Sequence, residues 1–190
     1  KLLLRENCDL LITAKNGKSA LTYLKEKRLL HFVDMNYLNQ ELYDAVKDNN
    51  LAKIRLLLEG GVKVNTSKKD VEGGNLLFMA VRNKNIEAVK VLYKYFDLNE
   101  RDSFFLATPL MLAIENGSLE IAKFLIESGA DVNATEGHNA SSTLSFAVSR
   151  GQIEIVRLLI SKGAKAKDSS FYGNTSLMSA VDIRHVEIAK

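Results

Sequence analysis

The chain has 190 residues, 46% of them apolar, and a net charge of +3 from 26 Lys and Arg against 23 Asp and Glu. That near-balance argues against nucleic acid or a membrane surface as partner, and no apolar run reaches the roughly 18–20 residues of a membrane-spanning helix. A single cysteine, Cys8, rules out an intramolecular disulfide and leaves the compartment open, with the cytoplasm favoured.

In chain order, residues 1–9 (KLLLRENCD) read as the end of a helix and its turn. Residues 17–27 (GKSALTYLKEK) read as a short helix, and residues 28–37 as a shorter one with a connector. Asn39 is expected to cap a fresh helix, QELYDAVKDN, with LAKIRLLLEGG as its antiparallel mate. After the polar loop 64–74, residues 75–84 and 85–96 form the next pair. Residues 108–135 are the best specified. Thr108 is a good N-cap and Pro109 suits the first helical position, where its missing N–H costs nothing. Leu110, Ala113 and Ile114 share one face, and Asn116-Gly117 stops the helix. Leu119, Ile121, Ala122, Leu125 and Ile126 form the apolar face of a second helix that Ser128-Gly129 ends. Residues 142–165 repeat this pattern. Residues 175–180 open a further pair that runs into HVEIAK, residues 185–190.

One such helical hairpin cannot bury its own apolar face and needs neighbours of its kind. They are present. Leu42, Leu77, Leu110, Leu144 and Leu177 recur at intervals of 33–35 residues, and Ala45, Ala80, Ala113, Ala147 and Ala180 keep step. Gly61, Gly129 and Gly163 mark matching helix ends. At this point TPLMLAIENGSLEIAKFLIESGADVNA resembles an ankyrin repeat. The resemblance implies an all-α solenoid of stacked helix-turn-helix units, with short inner helices facing a concave groove, longer outer helices behind, and turn tips along one side. Residues 1–36 form an irregular or incomplete segment of it. Residues 37–190 form the array, with units at about 37–72, 73–104, 105–138, 139–171 and an incomplete 172–190.

The departures from the family pattern are specific. Gln40-Glu41 and Asn75-Leu76 stand where Thr-Pro is usual, and Lys94-Tyr95-Phe96 replaces a helix-end glycine. The histidine of the family's Thr-Pro-Leu-His tetrapeptide is absent. Tyr43, Phe78, Met111, Ser145 and Met178 take its place, so packing is expected where hydrogen bonds between turns are usual. Leu21 to Leu42 is 21 residues, too short for a full unit.

No enzymatic constellation emerges. His31, His138 and His185 are far apart and have no ligand partner at metal spacing. No serine or cysteine sits in a nucleophile motif, and Gly60-Gly61 and Gly73-Gly74 lack a phosphate-loop context. We therefore expect no enzyme, cofactor or metal. What remains is surface. The resemblance implies groove contacts late in each inner helix, among them Arg82, Glu115, Arg150 and Asp182. The turn Ser103-Phe104-Phe105-Leu106-Ala107 puts large apolar residues where polar ones are usual, and Phe171-Tyr172 hold equivalent tip positions further on. Exposed aromatics mark binding hot spots; the alternative is that Phe104 or Leu106 folds back over a neighbouring turn. His138 lies in the intervening turn. The expected function is a protein-protein interaction scaffold holding a protein or peptide across the turn tips and groove. The alternative is a structural spacer or self-assembling piece of a longer array. For that alternative, residues 1–34 are expected either to pack against the repeat beginning near Asn39 or to complete the unit 175–190, in the same or a neighbouring molecule.

Overall fold

In a computed structural model of the chain, residues 18–137 and 140–165 are described; they belong to two compact units, residues 1–68 and 69–190. Among the described residues the regular secondary structure is helical, with isolated bridge residues only, among them the antiparallel pair Thr135 and Ser142.

The first unit contains α1 (Ala20–Glu26), a 3-10 turn (Leu30–Phe32), α2 (Met35–Lys47) and α3 (Leu51–Glu59). Ser19 caps α1, its hydroxyl accepting from the Thr22 N–H at 3.1 Å. α2 starts four residues before the expected cap at Asn39. Asp34 is the cap, because its carboxylate accepts the N–H groups of Asn36 (2.8 Å) and Tyr37 (3.4 Å). Asn39 instead lies inside the helix. Its amide donates to the carbonyls of Met35 (2.8 Å) and Lys63 (2.9 Å) and accepts from Asn65 N–H at 2.7 Å, tying α2 to the loop after α3. The core of this unit is Leu21, Leu38, Leu42, Ala45, Ile54 and Leu57, all buried. Leu21 of α1 lies so close to Gly60 that a Cβ there would collide with it, and Lys25 Nζ donates to the Glu59 carbonyl at 2.6 Å. The described part of residues 1–34 therefore packs on the end of α3; residues 1–17 and 175–190, needed to judge the complementary-ends expectation, lie outside the described residues.

The second unit pairs α4 (Leu76–Arg82) with α5 (Ile86–Leu92), α6 (Pro109–Glu115) with α7 (Leu119–Glu127), and α8 (Thr143–Ser149) with α9 (Ile153–Ser161). The short helices α4, α6 and α8 stack in one row, and α5, α7 and α9 in a second. Each short helix is capped in the same way: Asn75, Thr108 and Ser142 accept from N–H groups two or three residues on. Asn75 thus replaces Thr-Pro without losing the cap. Leu77, Ala80, Leu110, Ala113, Leu144 and Ala147 are buried between neighbouring pairs, as their period requires.

The outer helices end differently according to sequence. Gly129 and Gly163 take left-handed backbone at φ 96° and 89°, where a glycine is favoured. Where Lys94-Tyr95-Phe96 stands instead, α5 stops at Leu92 and a 3-10 turn (Tyr93–Tyr95) closes it. Tyr93 then packs edge-on against Phe124 of α7, with ring centroids 5.2 Å apart and planes at 87°.

Candidate functional site

The turns that precede α4, α6 and α8 form three neighbouring fingers. Each is closed by a backbone hydrogen bond across its base: Asp70 N–H to Gly74 O at 2.7 Å, Asp102 N–H to Ala107 O at 3.0 Å, and Glu136 N–H to Ser141 O at 3.0 Å. An aspartate shapes each of the first two tips. Asp70 accepts from the N–H groups of Glu72 (2.9 Å) and Gly74 (3.0 Å). Asp102, itself buried, accepts from Phe104 N–H (2.9 Å) and Phe105 N–H (2.7 Å). Such Asx turns hold a short loop in one conformation without help from a core.

The fingers are also tied to one another. Ser103 donates its N–H and its hydroxyl to the Gly73 carbonyl at 3.1 and 3.2 Å. Gly137 N–H donates to the Phe105 carbonyl at 3.4 Å. The Arg101 guanidinium reaches the Leu106 carbonyl at 2.9 Å and also the carbonyl of Thr135. Glycine is needed on both sides of the middle finger. A Cβ at Gly73 would lie 2.8 Å from Ser103 Cβ and 3.0 Å from the Phe104 ring, and one at Gly137 would collide with the Leu106 side chain. The middle finger is thus wedged between two glycine-bearing neighbours.

This geometry sorts the apolar tip residues. Leu106, at φ 53° and 39% exposed, leans over Gly137, so folding back on a neighbouring turn is realised in part. Phe104 is 56% exposed with one ring edge at Gly73, and Phe105 stands out at 67%. Val71, on the neighbouring first finger, is 89% exposed. Sequence reasoning passed over Val71. The signal available was a lone β-branched residue inside the polar turn Lys68-Lys69-Asp70-Val71-Glu72-Gly73.

The helix positions behave differently from the tips. Arg82 is ion-paired with Asp70 and, at 3.1 Å, with Glu72, so it ties α4 to the first finger. Arg150 pairs with Glu115 at 3.1 Å and donates to the Glu115 carbonyl at 2.7 Å, linking the ends of α8 and α6. These three side chains stand on one row of helices, but each is engaged with the protein itself. His138, Phe171, Tyr172 and Asp182 lie outside the described residues. Among the described residues no cluster of three or more His, Cys, Asp or Glu could hold a metal ion, and no helix is long and apolar enough to cross a membrane.

A family model described as ankyrin repeats (3 copies) matches residues 42–136 and again 136–190. The chain is 32% identical over 113 residues to human protein phosphatase 1 regulatory subunit 27, covering 58% of this chain and 72% of that protein. It is 33% identical over 125 residues to an ankyrin repeat protein of Acanthamoeba polyphaga mimivirus, covering 62% of this chain and 35% of that protein. It is 26% identical over 134 residues to a Caenorhabditis elegans homolog of transient receptor potential cation channel subfamily A member 1, covering 68% of this chain and 11% of that protein. The chain thus spans only a small part of some of these relatives.

Proposed function

The chain belongs to the ankyrin-repeat family, whose repeats are generally protein-protein interaction modules, and on that premise we propose that it is a non-enzymatic scaffold that binds a protein or peptide along its finger edge. The observation that carries this reading is the middle finger. A buried carboxylate and two flanking glycines hold Phe105 in solvent at 67% exposure. Exposing an aromatic ring on a rigid, hydrogen-bonded turn has no folding benefit, whereas a pre-organised aromatic lowers the entropic cost of binding a partner. The human relative is by name a regulatory subunit, which supports a role exercised through association rather than catalysis. The rows of short helices behind the fingers would extend the contact, with Glu115 and Arg150 at its far side.

The test is selection of a random peptide library, displayed on phage, against the whole chain and against a Phe104→Ser/Phe105→Ser double variant. Both rings are more than half exposed, so the double variant is expected to melt within a few degrees of the parent. Peptides that bind the parent and lose the variant support the finger edge. Peptides that bind both equally remove it, and a change in oligomeric size without loss of peptides favours the spacer reading.

A further inference from the structure

The three fingers carry a charge opposite to that of the chain. They bear Asp70, Glu72, Glu100, Asp102 and Glu136 against Lys68, Lys69 and Arg101, in a molecule whose net charge is +3. Each of these cations is engaged within the protein, Lys68 donating to Gln40 Oε1 at 2.6 Å. Lys69 is ion-paired with Glu100, which also accepts from Asn75 Nδ2 at 2.6 Å. Arg101 donates to the Leu106 and Thr135 carbonyls, and Arg82 reaches the fingers from α4 only to pair with Asp70 and Glu72. Glu72 is the carboxylate most open to solvent among these ion pairs of the fingers, its side chain 63% exposed. It immediately precedes Gly73, the residue on which Ser103 and the edge of Phe104 rest. Val71, Phe104 and Phe105 are thus exposed on adjacent fingers, the first of which also carries the open Glu72 carboxylate.

We infer that the finger edge is specific for a partner segment with an aliphatic or aromatic anchor flanked by arginine or lysine. This deepens the binding reading above and rests on it. The anchor would cover Phe105 and Val71. The flanking cation would meet the Glu72 carboxylate, and an arginine could also lie over the exposed Phe105 ring, where a guanidinium is attracted to the π face. Hydrophobic contact supplies affinity, while the acidic surround selects the sign of the partner and speeds its approach. An acidic segment meets the solvent-open side of Glu72, which shares Arg82 with Asp70, and finds the finger cations held by carboxylate and carbonyl oxygens. In this reading the specificity is made at the tips rather than along the helix row, where Arg150 and Glu115 neutralise each other.

The experiment continues the selection above. The strongest enriched peptide is synthesised with a fluorophore and titrated by anisotropy against the parent, Glu72→Lys and Phe105→Ser, at low and high sodium chloride. The enriched set should combine an apolar residue with Lys or Arg. Glu72→Lys should weaken binding about 3- to 10-fold, Phe105→Ser by about tenfold or more, and added salt should weaken the parent complex but not the Glu72→Lys complex to the same degree. Glu72→Gln serves as the milder variant if the lysine perturbs the finger, and should give a smaller loss in the same direction. Enriched peptides that are acidic or uncharged, or affinity indifferent to both Glu72 variants while Phe105→Ser still abolishes it, overturn the charge specificity and leave the scaffold reading standing. Affinity indifferent to Phe105→Ser, or no enrichment at all, overturns both.

Discussion

At Asn49, Lys84, Gly117 and Gly151 the chain leaves the first helix of a pair through left-handed backbone, at φ between 54° and 69°. Two of these positions hold glycine. Lys84 is a residue with a Cβ in a conformation that disfavours one, so Lys84→Gly should stabilise the protein by about 0.5–1 kcal/mol, the gain being reduced by the larger entropy of glycine in the unfolded chain. Urea unfolding with an unchanged slope measures it; a lower midpoint would refute the argument. Gly129 tests the opposite case. No atom lies within 4 Å of a Cβ placed there, yet φ is 96°. Gly129→Val should therefore cost about 1–2 kcal/mol from the backbone alone, and a melting temperature equal to that of the parent would show that the turn relaxes at no cost.

The helices show how one element depends on the next. Ala113 of α6 is fully buried where short helices stack on both sides, and Ala113→Leu should overpack that contact by about 1–3 kcal/mol, read from thermal unfolding. Side-chain amides join loops one repeat apart. Asn99 accepts the Asp131 N–H at 2.8 Å; Asn133 accepts the Lys165 N–H at 2.9 Å and donates to the Gly163 carbonyl at 3.3 Å. Asn133→Ala should cost about 1–2 kcal/mol, and a loss indistinguishable from that of an exposed-surface alanine elsewhere would reduce this amide to a bystander. Between α7 and α9, Lys123 donates to Glu154 at 2.6 Å, and that hydrogen bond, with the attraction of the ammonium, holds the Glu154 carboxyl below its usual range. A lowered folded value means that any stabilisation is present above the ordinary carboxylate range and is lost as pH falls through the folded value. Lys123→Met should move the Glu154 titration back up, as followed by carboxyl carbon NMR; an unmoved midpoint would mean that the pair does not persist in solution.

Across the whole chain, the repeat was legible because leucine, alanine and glycine recur at fixed offsets, and a solenoid has no other way to bury such faces. The start of α2 was not, because Asp34 and Asn39 are both competent caps and only the partners of Asn39, contributed by Lys63 and Asn65, decide between them. The finger edge was half legible. The run of Phe104, Phe105 and Leu106 stands out in sequence, but which ring stays exposed depends on glycines about 30 residues away on either side. The helix-row charges were misleading in a simple way: sequence names Arg82, Glu115 and Arg150 but not that they bind each other and their neighbours. The amide links between repeats were present as Asn99 and Asn133, 34 residues apart, and they carry a consequence in time. Asp131 and Lys165 sit in solvent-facing loops, where backbone hydrogens ordinarily exchange with deuterium almost at once. Each is instead held by an asparagine of the preceding repeat, so its exchange waits until one repeat lifts from the next. Two surface amides thereby become clocks for the separation of buried faces.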